Sequence, residues 1–247
     1  MIKTLIWLSK KILPKKLYLK ISLIKHYSNE ILNFGYLDNE KVFKKIYKKQ
    51  IWGSDKNFKY YSGSGSHEKK IILPYIKVIK KFLLKQKINK LIDFGCGDFN
   101  VGKNFVNLTK KYYAYDIYED LVKYNRKKFK YKNLYFKKKD ITSDKISSVD
   151  VVLVRQVLQH LDNNQIKSFL SNIKNKTKYL IVTEHLPKFD SFKCNVNKPK
   201  GAGLRFNSGV ILHLSPFNLN YIYKKILLSV NASPDKGKIV TTLYKIN

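Results

Sequence analysis

The chain has 247 residues and carries 50 Lys and Arg against 17 Asp and Glu, a formal charge of +33. Apolar residues make up 44% of it, which excludes general disorder and allows one large domain, or a core domain with a cap. Only Arg126, Arg155 and Arg205 are arginines, and the lysines are spread from Lys3 to Lys245. A nucleic-acid surface gathers its cations on one face and exploits the arginine fork, so nucleic acid is not the expected partner. Anionic lipid or a phosphorylated substrate fits the charge at least as well. Cys96 and Cys194 are far apart and form no CxxC pair. That excludes a disulfide framework, no metal ligands cluster, and the cytoplasm is the default compartment. No run approaches the ~18 apolar residues of a membrane span. The start, Met1–Lys11, has a short apolar stretch without a small-residue cleavage site, so it is expected to be retained.

Residues 1–50 place apolar side chains at helical spacing: Ile2, Leu5, Ile6, then Ile12, Leu13, Leu17, then Ile21 and Ile24. Pro14 is expected to divide the run into two helices. Such basic amphipathic helices can lie on a membrane surface, but packing on a core domain is the commoner arrangement and the one expected here. Residues 51–70 change texture: Trp52-Gly-Ser, then Tyr60-Tyr61-Ser62-Gly63-Ser64-Gly65-Ser66-His67. This reads equally as a flexible linker or as a lid that closes over a ligand. Residues 1–70 therefore form a helical cap with a Gly/Ser lid, and residues 71–247 the main domain.

From residue 71 strands and helices alternate. A helix over Ile71–Leu84 leads to a buried strand at Lys90–Phe94. Further strands are expected at Tyr112–Tyr115, Leu134–Phe136, Val149–Val154 and Lys178–Thr183, with helices near Gly102–Leu108, Glu119–Phe129 and Asn163–Ile173. This is an α/β pattern: a Rossmann-like, doubly wound, mainly parallel sheet. Tyr223–Val230 and Lys238–Ile246 read as a C-terminal antiparallel hairpin at the sheet edge.

In such a sheet ligands bind beyond the carboxyl ends of the strands. The first strand ends in Asp93-Phe94-Gly95-Cys96-Gly97-Asp98-Phe99-Asn100. The two glycines let backbone approach a ligand closely, and Asp93 suits an ammonium group better than a pyrophosphate. A nicotinamide-dinucleotide fingerprint fails, because its third glycine position is Asn100. The second strand ends in Tyr115-Asp116, where a carboxylate can accept hydrogen bonds from ribose hydroxyls. The third ends near Asp140-Ile141, an acid and an apolar residue that can take an adenine amino proton and cover the ring. One such aspartate is usually a loop acid; three at successive strand ends point to a ligand.

DFGCGDF, YD and KDI, in this order and spacing, resemble the class I S-adenosylmethionine-dependent methyltransferases. Val151-Val-Leu-Val-Arg155-Gln156-Val157-Leu158-Gln159-His160-Leu161 looks like that family's segment after the fourth strand. The resemblance covers about residues 85–185. The Trp52-Gly-Ser and Ser62–Ser66 segments, the CGDFN turn and Gly201-Ala-Gly-Leu-Arg205-Phe-Asn207-Ser-Gly209 are also similar to methyltransferases found with bacterial surface-polysaccharide (capsule) genes. One departure is that Phe99 stands at the third glycine of the family's GxGxG.

The resemblance implies that Asp93, Gly95, Cys96 and Gly97 hold the methionine part of S-adenosylmethionine, Asp116 the ribose, and Ile117, Asp140 and Ile141 the adenine. It implies Arg155 and Gln156 beside the reacting methyl group, and Ser64 in a lid over the methionine end. S-adenosylhomocysteine would be the product. Methylating a sugar hydroxyl needs a general base, whereas an ionised phosphate oxygen needs none. His185, with neighbouring Glu184, and His160 are the candidates. His67 and Trp52 in the lid, with Arg205 and Asn207 in the glycine-rich loop, are candidate acceptor contacts. Arg205 either grips an anion or stabilises its own loop. The leading expectation is an O-methyltransferase for a sugar or phosphorylated precursor of a bacterial surface glycan. Other readings are methylation of another small acceptor, including a phosphate or phosphoramidate oxygen, and a non-catalytic module at a membrane surface, touching it through residues 1–50.

Overall fold

A computed structural model describes residues 14–188, 192–233 and 237–246. The expectations for Ile2, Leu5, Ile6, Ile12 and Leu13 lie outside these residues. Pro14 stands at the N-cap of helix α1 (Lys15–Phe34), where its missing N–H costs nothing. Asp38 opens α2 (Asn39–Lys48) by accepting the Lys41 N–H, and α3 spans Lys69–Lys85. The remaining α-helices among the described residues are α4 (Glu119–Lys128) and α5 (Asn163–Ile173). A reciprocal capping box between Asp162 and Gln165 fixes the start of α5.

Seven strands form one sheet: β1 (Lys90–Phe94), β2 (Lys111–Asp116), β3 (Leu134–Lys138), β4 (Val149–Arg155), β5 (Thr177–Leu186), β6 (Tyr223–Ser233) and β7 (Gly237–Lys245). Their order is β3-β2-β1-β4-β5-β7-β6. The first five run parallel; β7 pairs antiparallel with β5, and β6 antiparallel with β7 at the edge. This is the expected α/β architecture with its terminal hairpin. The strand order reverses between β1 and β4, so their carboxyl ends flank a crevice.

Alternation along the strands sends side chains to two cores. On one face, Ile166, Phe169 and Ile173 of α5 meet Ile92, Phe94, Val152, Val154, Leu180 and Val182. On the other, Tyr75, Ile79 and Leu83 of α3 meet Leu91, Val151, Leu153 and Ile181. Arg126 staples α4 to β3 by donating to the Phe136 carbonyl at 2.9 Å. Among the described residues no helix is long and apolar enough to cross a membrane.

Two expectations need correction. The helix expected near Gly102–Leu108 is instead two single 3-10 turns, Gly102–Asn104 and Val106–Leu108. The Asn104 side chain donates to the Asn100 and Val101 carbonyls and so competes for acceptors a helix would use. Strand β5 runs three residues past the expected Thr183, so Glu184 and His185 lie within it and point to opposite faces.

Phe99 takes φ +62°, a left-handed backbone that suits glycine, yet its ring is fully buried against Tyr112, Phe129 and Phe136. The backbone penalty is about 1–2 kcal/mol and the ring contributes about 3–5 kcal/mol of burial, so packing wins. Phe99→Gly is therefore expected to lower unfolding stability in urea by about 2–3 kcal/mol, despite relieving the backbone.

Candidate active site

The turn after β1 is built around two left-handed glycines. Gly95 (φ +68°) and Gly97 (φ +56°) are held by β2: the Tyr115 carbonyl accepts the Gly95 and Cys96 N–H groups at 2.8 and 3.0 Å. A Cβ on Gly95 would lie 2.3 Å from Val157 Cγ2, and one on Gly97 would lie 2.4 Å from Ser62 Oγ. Asp116 accepts the Gly97 N–H at 3.0 Å and the Tyr118 N–H at 3.1 Å, while Asn125 donates to the Gly97 carbonyl at 2.7 Å. The strand-end acid thus also shapes the glycine turn.

The Gly/Ser segment is pinned over this turn as a lid. The Ser62 N–H donates to Asp98 Oδ2 and the Asp98 N–H donates to Ser62 Oγ, both at 2.8 Å. Tyr47 of α2 meets the same hydroxyl at 2.9 Å. Arg155 reaches from the end of β4 to the Gly65 carbonyl at 2.5 Å and to Ser66 Oγ at 3.2 Å, with its guanidinium 5.0 Å from the centroid of the Tyr75 ring. Asn100 Nδ2 donates to the Ser66 carbonyl at 2.9 Å. His67 pairs with Asp98 Oδ2 at 2.7 Å and stacks on Tyr61 at 4.4 Å. It fastens the lid and does not line the cavity below, so its assignment as an acceptor contact is withdrawn.

Beneath the lid lies a cavity of about 330 Å³, the size of a small-ligand site. Asp93, Gly95, Cys96, Gly97, Asp116, Ile117, Asp140, Ile141, Arg155, Gln156 and Ser64 all line it. The cavity is acidic inside a strongly basic protein: Glu68, Asp93, Asp98, Asp116 and Asp140 face it, against Lys139 and Arg155. Burial pushes the Asp93 carboxyl up to about 6, opposed by the Tyr112 hydroxyl that donates to it at 2.9 Å and by Arg155. Burial also raises Asp116, opposed by the N–H groups of Tyr118 and Gly97. Charging these acids is costly without a cation, so the cavity suits a cationic ligand. Asp140 is held by Thr142, whose N–H and Oγ1 lie 2.7 Å from it, and by Asn39 of α2 at 3.0 Å.

Part of the cavity lining is an aromatic cluster: Phe43 and Trp52 have ring centroids 6.1 Å apart, and His160 lies 4.9 Å from Trp52. His185, Leu204 and Ile239 line the cavity as well. Burial, then nearby Lys198, pushes His160 down to about 3, and its ring rests against Trp52 at 4.9 Å. His160 is thus a neutral wall and a poor base at physiological pH, which removes the reason for assigning it catalysis. The His185 N–H donates to Gln159 Oε1 at 3.1 Å, and His185 faces the cavity. Glu184 points away from it: its carboxylate accepts the Leu158 and Gln159 N–H groups at 3.0 Å each, and burial raises it to about 8. The structure therefore corrects Glu184 from a catalytic group to a brace for the segment after β4.

Arg205 and Asn207 are corrected too. Arg205 is buried and donates to Asn163 Oδ1 and to the Val196 and Leu161 carbonyls at 2.6–2.8 Å, so it stabilises its own loop and does not face the cavity. Asn207 is exposed, with φ +43°, away from the cavity. Trp52 stays at the site, its Nε1 donating to the Ala202 carbonyl at 3.1 Å. Sequence reasoning missed Asn39, Phe43 and Tyr47, which face the crevice one helical turn apart on α2. That i, i+4, i+8 spacing was the available signal.

Residues 92–178 match the model of a family described as a methyltransferase domain. No curated protein matches the chain. Among solved structures, it is similar to the N-methyltransferase NodS from Bradyrhizobium japonicum WM9 in complex with S-adenosyl-L-homocysteine (9% identity, 82% of this chain and 98% of that one, TM-score 0.58). It is also similar to the N-terminal domain of EvdMO1 with S-adenosyl-L-homocysteine bound (10% identity, 85% and 98%, TM-score 0.54). TehB from Haemophilus influenzae is a third (14% identity, TM-score 0.51); the match takes 69% of this chain and 62% of that one. At these identities the likeness shows the fold.

Because Arg155 holds both the Gly65 carbonyl and the Ser66 hydroxyl, Arg155→Ala should loosen the lid. Amide hydrogen exchange at Ser64–Ser66 is expected to speed by about tenfold or more, while the β1 and β4 amides keep their protection.

Proposed function

We propose that this protein transfers the methyl group of S-adenosylmethionine to a hydroxyl of an uncharged, sugar-like acceptor belonging to a bacterial surface glycan or its precursor. S-adenosylmethionine is the methyl donor and S-adenosylhomocysteine the by-product, and the reaction belongs to the cytoplasm. One observation carries the reading: one cavity is lined by the acids and glycines after β1, by Phe43 and Trp52, and by His185 as the candidate base.

The residues present fit the donor. Asp93 provides a carboxylate for its ammonium group, and Gly95 and Gly97 give the left-handed turn that brings backbone to the cavity wall, with Val157 and Ser62 packed on the Cβ-free positions. In this reading Asp116 accepts from the ribose hydroxyls, and Ile117, Asp140 and Ile141, which line the same cavity, contact the adenine. When bound, the donor supplies an electrophilic methyl group on a sulfonium. The chain orients the acceptor, excludes water beneath the pinned lid, and takes up the hydroxyl proton on an imidazole nitrogen of His185 as the new oxygen–carbon bond forms.

The aromatic cluster supports a neutral acceptor. Trp52 and Phe43 offer apolar ring faces on which a pyranose can rest. Arg205, engaged by Asn163 and by the Val196 and Leu161 carbonyls, is not available to grip a phosphate. The EvdMO1 domain was crystallised in the presence of S-adenosyl-L-homocysteine and D-fucose, which supports a sugar reading, as does the resemblance to surface-polysaccharide methyltransferases.

Titration calorimetry should detect S-adenosylmethionine, and Asp116→Ala should abolish that heat; undiminished affinity would remove Asp116 from the site. Asp93 titrates near 6, so it is charged above that pH and neutral below it. Donor affinity is expected to fall as pH drops through 6, by at most about tenfold per unit, as for one proton. Constant affinity from pH 7 to 5 would exclude the ammonium contact. His185→Gln should lower kcat by about 10²–10⁴ while leaving donor affinity unchanged. Mass spectrometry of a panel of sugars and nucleotide-sugars reports the acceptor as a gain of CH2.

A further inference from the structure

Helix α1 turns only one side to the protein. Tyr27 and Phe34 are buried; the Phe206 N–H donates to the Tyr27 hydroxyl at 2.8 Å, and the Gly203 N–H donates to Glu30 Oε1 at 3.0 Å. On the outward side Leu17, Ile21, Ile24, Ile31 and Leu32 are 44–73% exposed. At 100° per residue these five fall within an arc of about 100°, the width of a helix face that elsewhere packs on a core. A lone exposed leucine needs no explanation, but a continuous stripe does.

Charge identifies what covers it. From Met1 to Asn29 the sequence has seven lysines and no acidic residue, and exposed Lys25 borders the stripe. An apolar face flanked by lysines and free of carboxylates is complementary to anionic lipid headgroups over acyl chains. The cationic surroundings of a +33 chain add long-range attraction of the same sign. A second copy of so basic a chain would bring its own lysines against these, which like-charge repulsion disfavours.

We propose that α1 lays its outer face on an anionic lipid surface and docks the enzyme there. The inner face then ties the docked helix to the loop bearing Ala202 and Leu204, which line the cavity. The docking itself stands on α1 and does not depend on the acceptor assigned above.

The test is sedimentation of the full chain with vesicles of equal parts phosphatidylglycerol and phosphatidylcholine, and with phosphatidylcholine alone. The chain should pellet with the mixed vesicles and remain in solution with the neutral ones. Raising salt from about 0.1 to about 1 M contracts the Debye length from roughly 10 to roughly 3 Å and should weaken the association. The double substitution Ile24→Asp/Ile31→Asp, at exposed positions outside the donor site, should reduce partitioning by about tenfold or more. Donor affinity, measured by calorimetry, should stay unchanged and show that the variant is folded. Lys25→Glu should also reduce partitioning. Wild-type protein left in the supernatant would overturn the proposal, as when residues 1–13 cover the stripe. So would equal pelleting of the double variant, or a wild-type dimer in light scattering that the double variant dissolves.

Discussion

The site depends on a reciprocal pair of hydrogen bonds between two backbone turns. Ser62 and Asp98 exchange N–H donors for side-chain acceptors, both at 2.8 Å, across 36 positions of sequence. One turn belongs to the glycine floor after β1, the other to the lid that precedes α3. Tyr47 and His67 converge on the same pair, so α2, the lid and β1 meet at one point. Without that clasp the floor would face solvent and the acids around it would regain water. With it, they are desolvated, and the elevated Asp93 and Asp116 follow.

That desolvation decides which ligands enter. A chain with three times as many bases as acids would be expected to attract anions everywhere. The cavity reverses the sign locally because five of its acids converge there, and the low dielectric beneath the lid sharpens the contrast. A cation entering removes the cost of keeping those carboxylates charged. The lysine-rich exterior can meanwhile attract an anionic surface or a negatively charged carrier without competing for the interior.

Much of this was legible in the sequence. Each of the strands β1 to β5 announced itself as a short apolar run, and the acids at Asp93, Asp116 and Asp140 marked the crevice by ending three of them. What escaped did so for physical reasons. The expected end of β5 at Thr183 fell three residues short, which left Glu184 and His185 beyond the strand with no face assigned to either. The longer strand separates them, making one a brace and leaving the other at the cavity. For Arg205, set in a glycine-rich loop, the sequence left two readings open, an anion grip and a loop stabiliser. Such a loop leaves carbonyls without helix or sheet partners, and those carbonyls claim the guanidinium. Asn39, Phe43 and Tyr47 escaped because helical spacing shows that a face is buried but not what it is buried against.

The three arginines share one trait. Arg126 donates to the Phe136 carbonyl, Arg155 to that of Gly65, and Arg205 to those of Val196 and Leu161. Each spans a gap between chain segments with a planar, multi-donor group, a task an ammonium on a flexible stem performs poorly. Most lysines, buried Lys198 apart, coat the outside, where a mobile point charge suffices. Architecture and surface charge are therefore carried by different residue types. The exterior can be recoloured from basic to acidic over wide areas with the internal rivets left in place, and solubility or surface attachment can be engineered separately from the shape of the crevice.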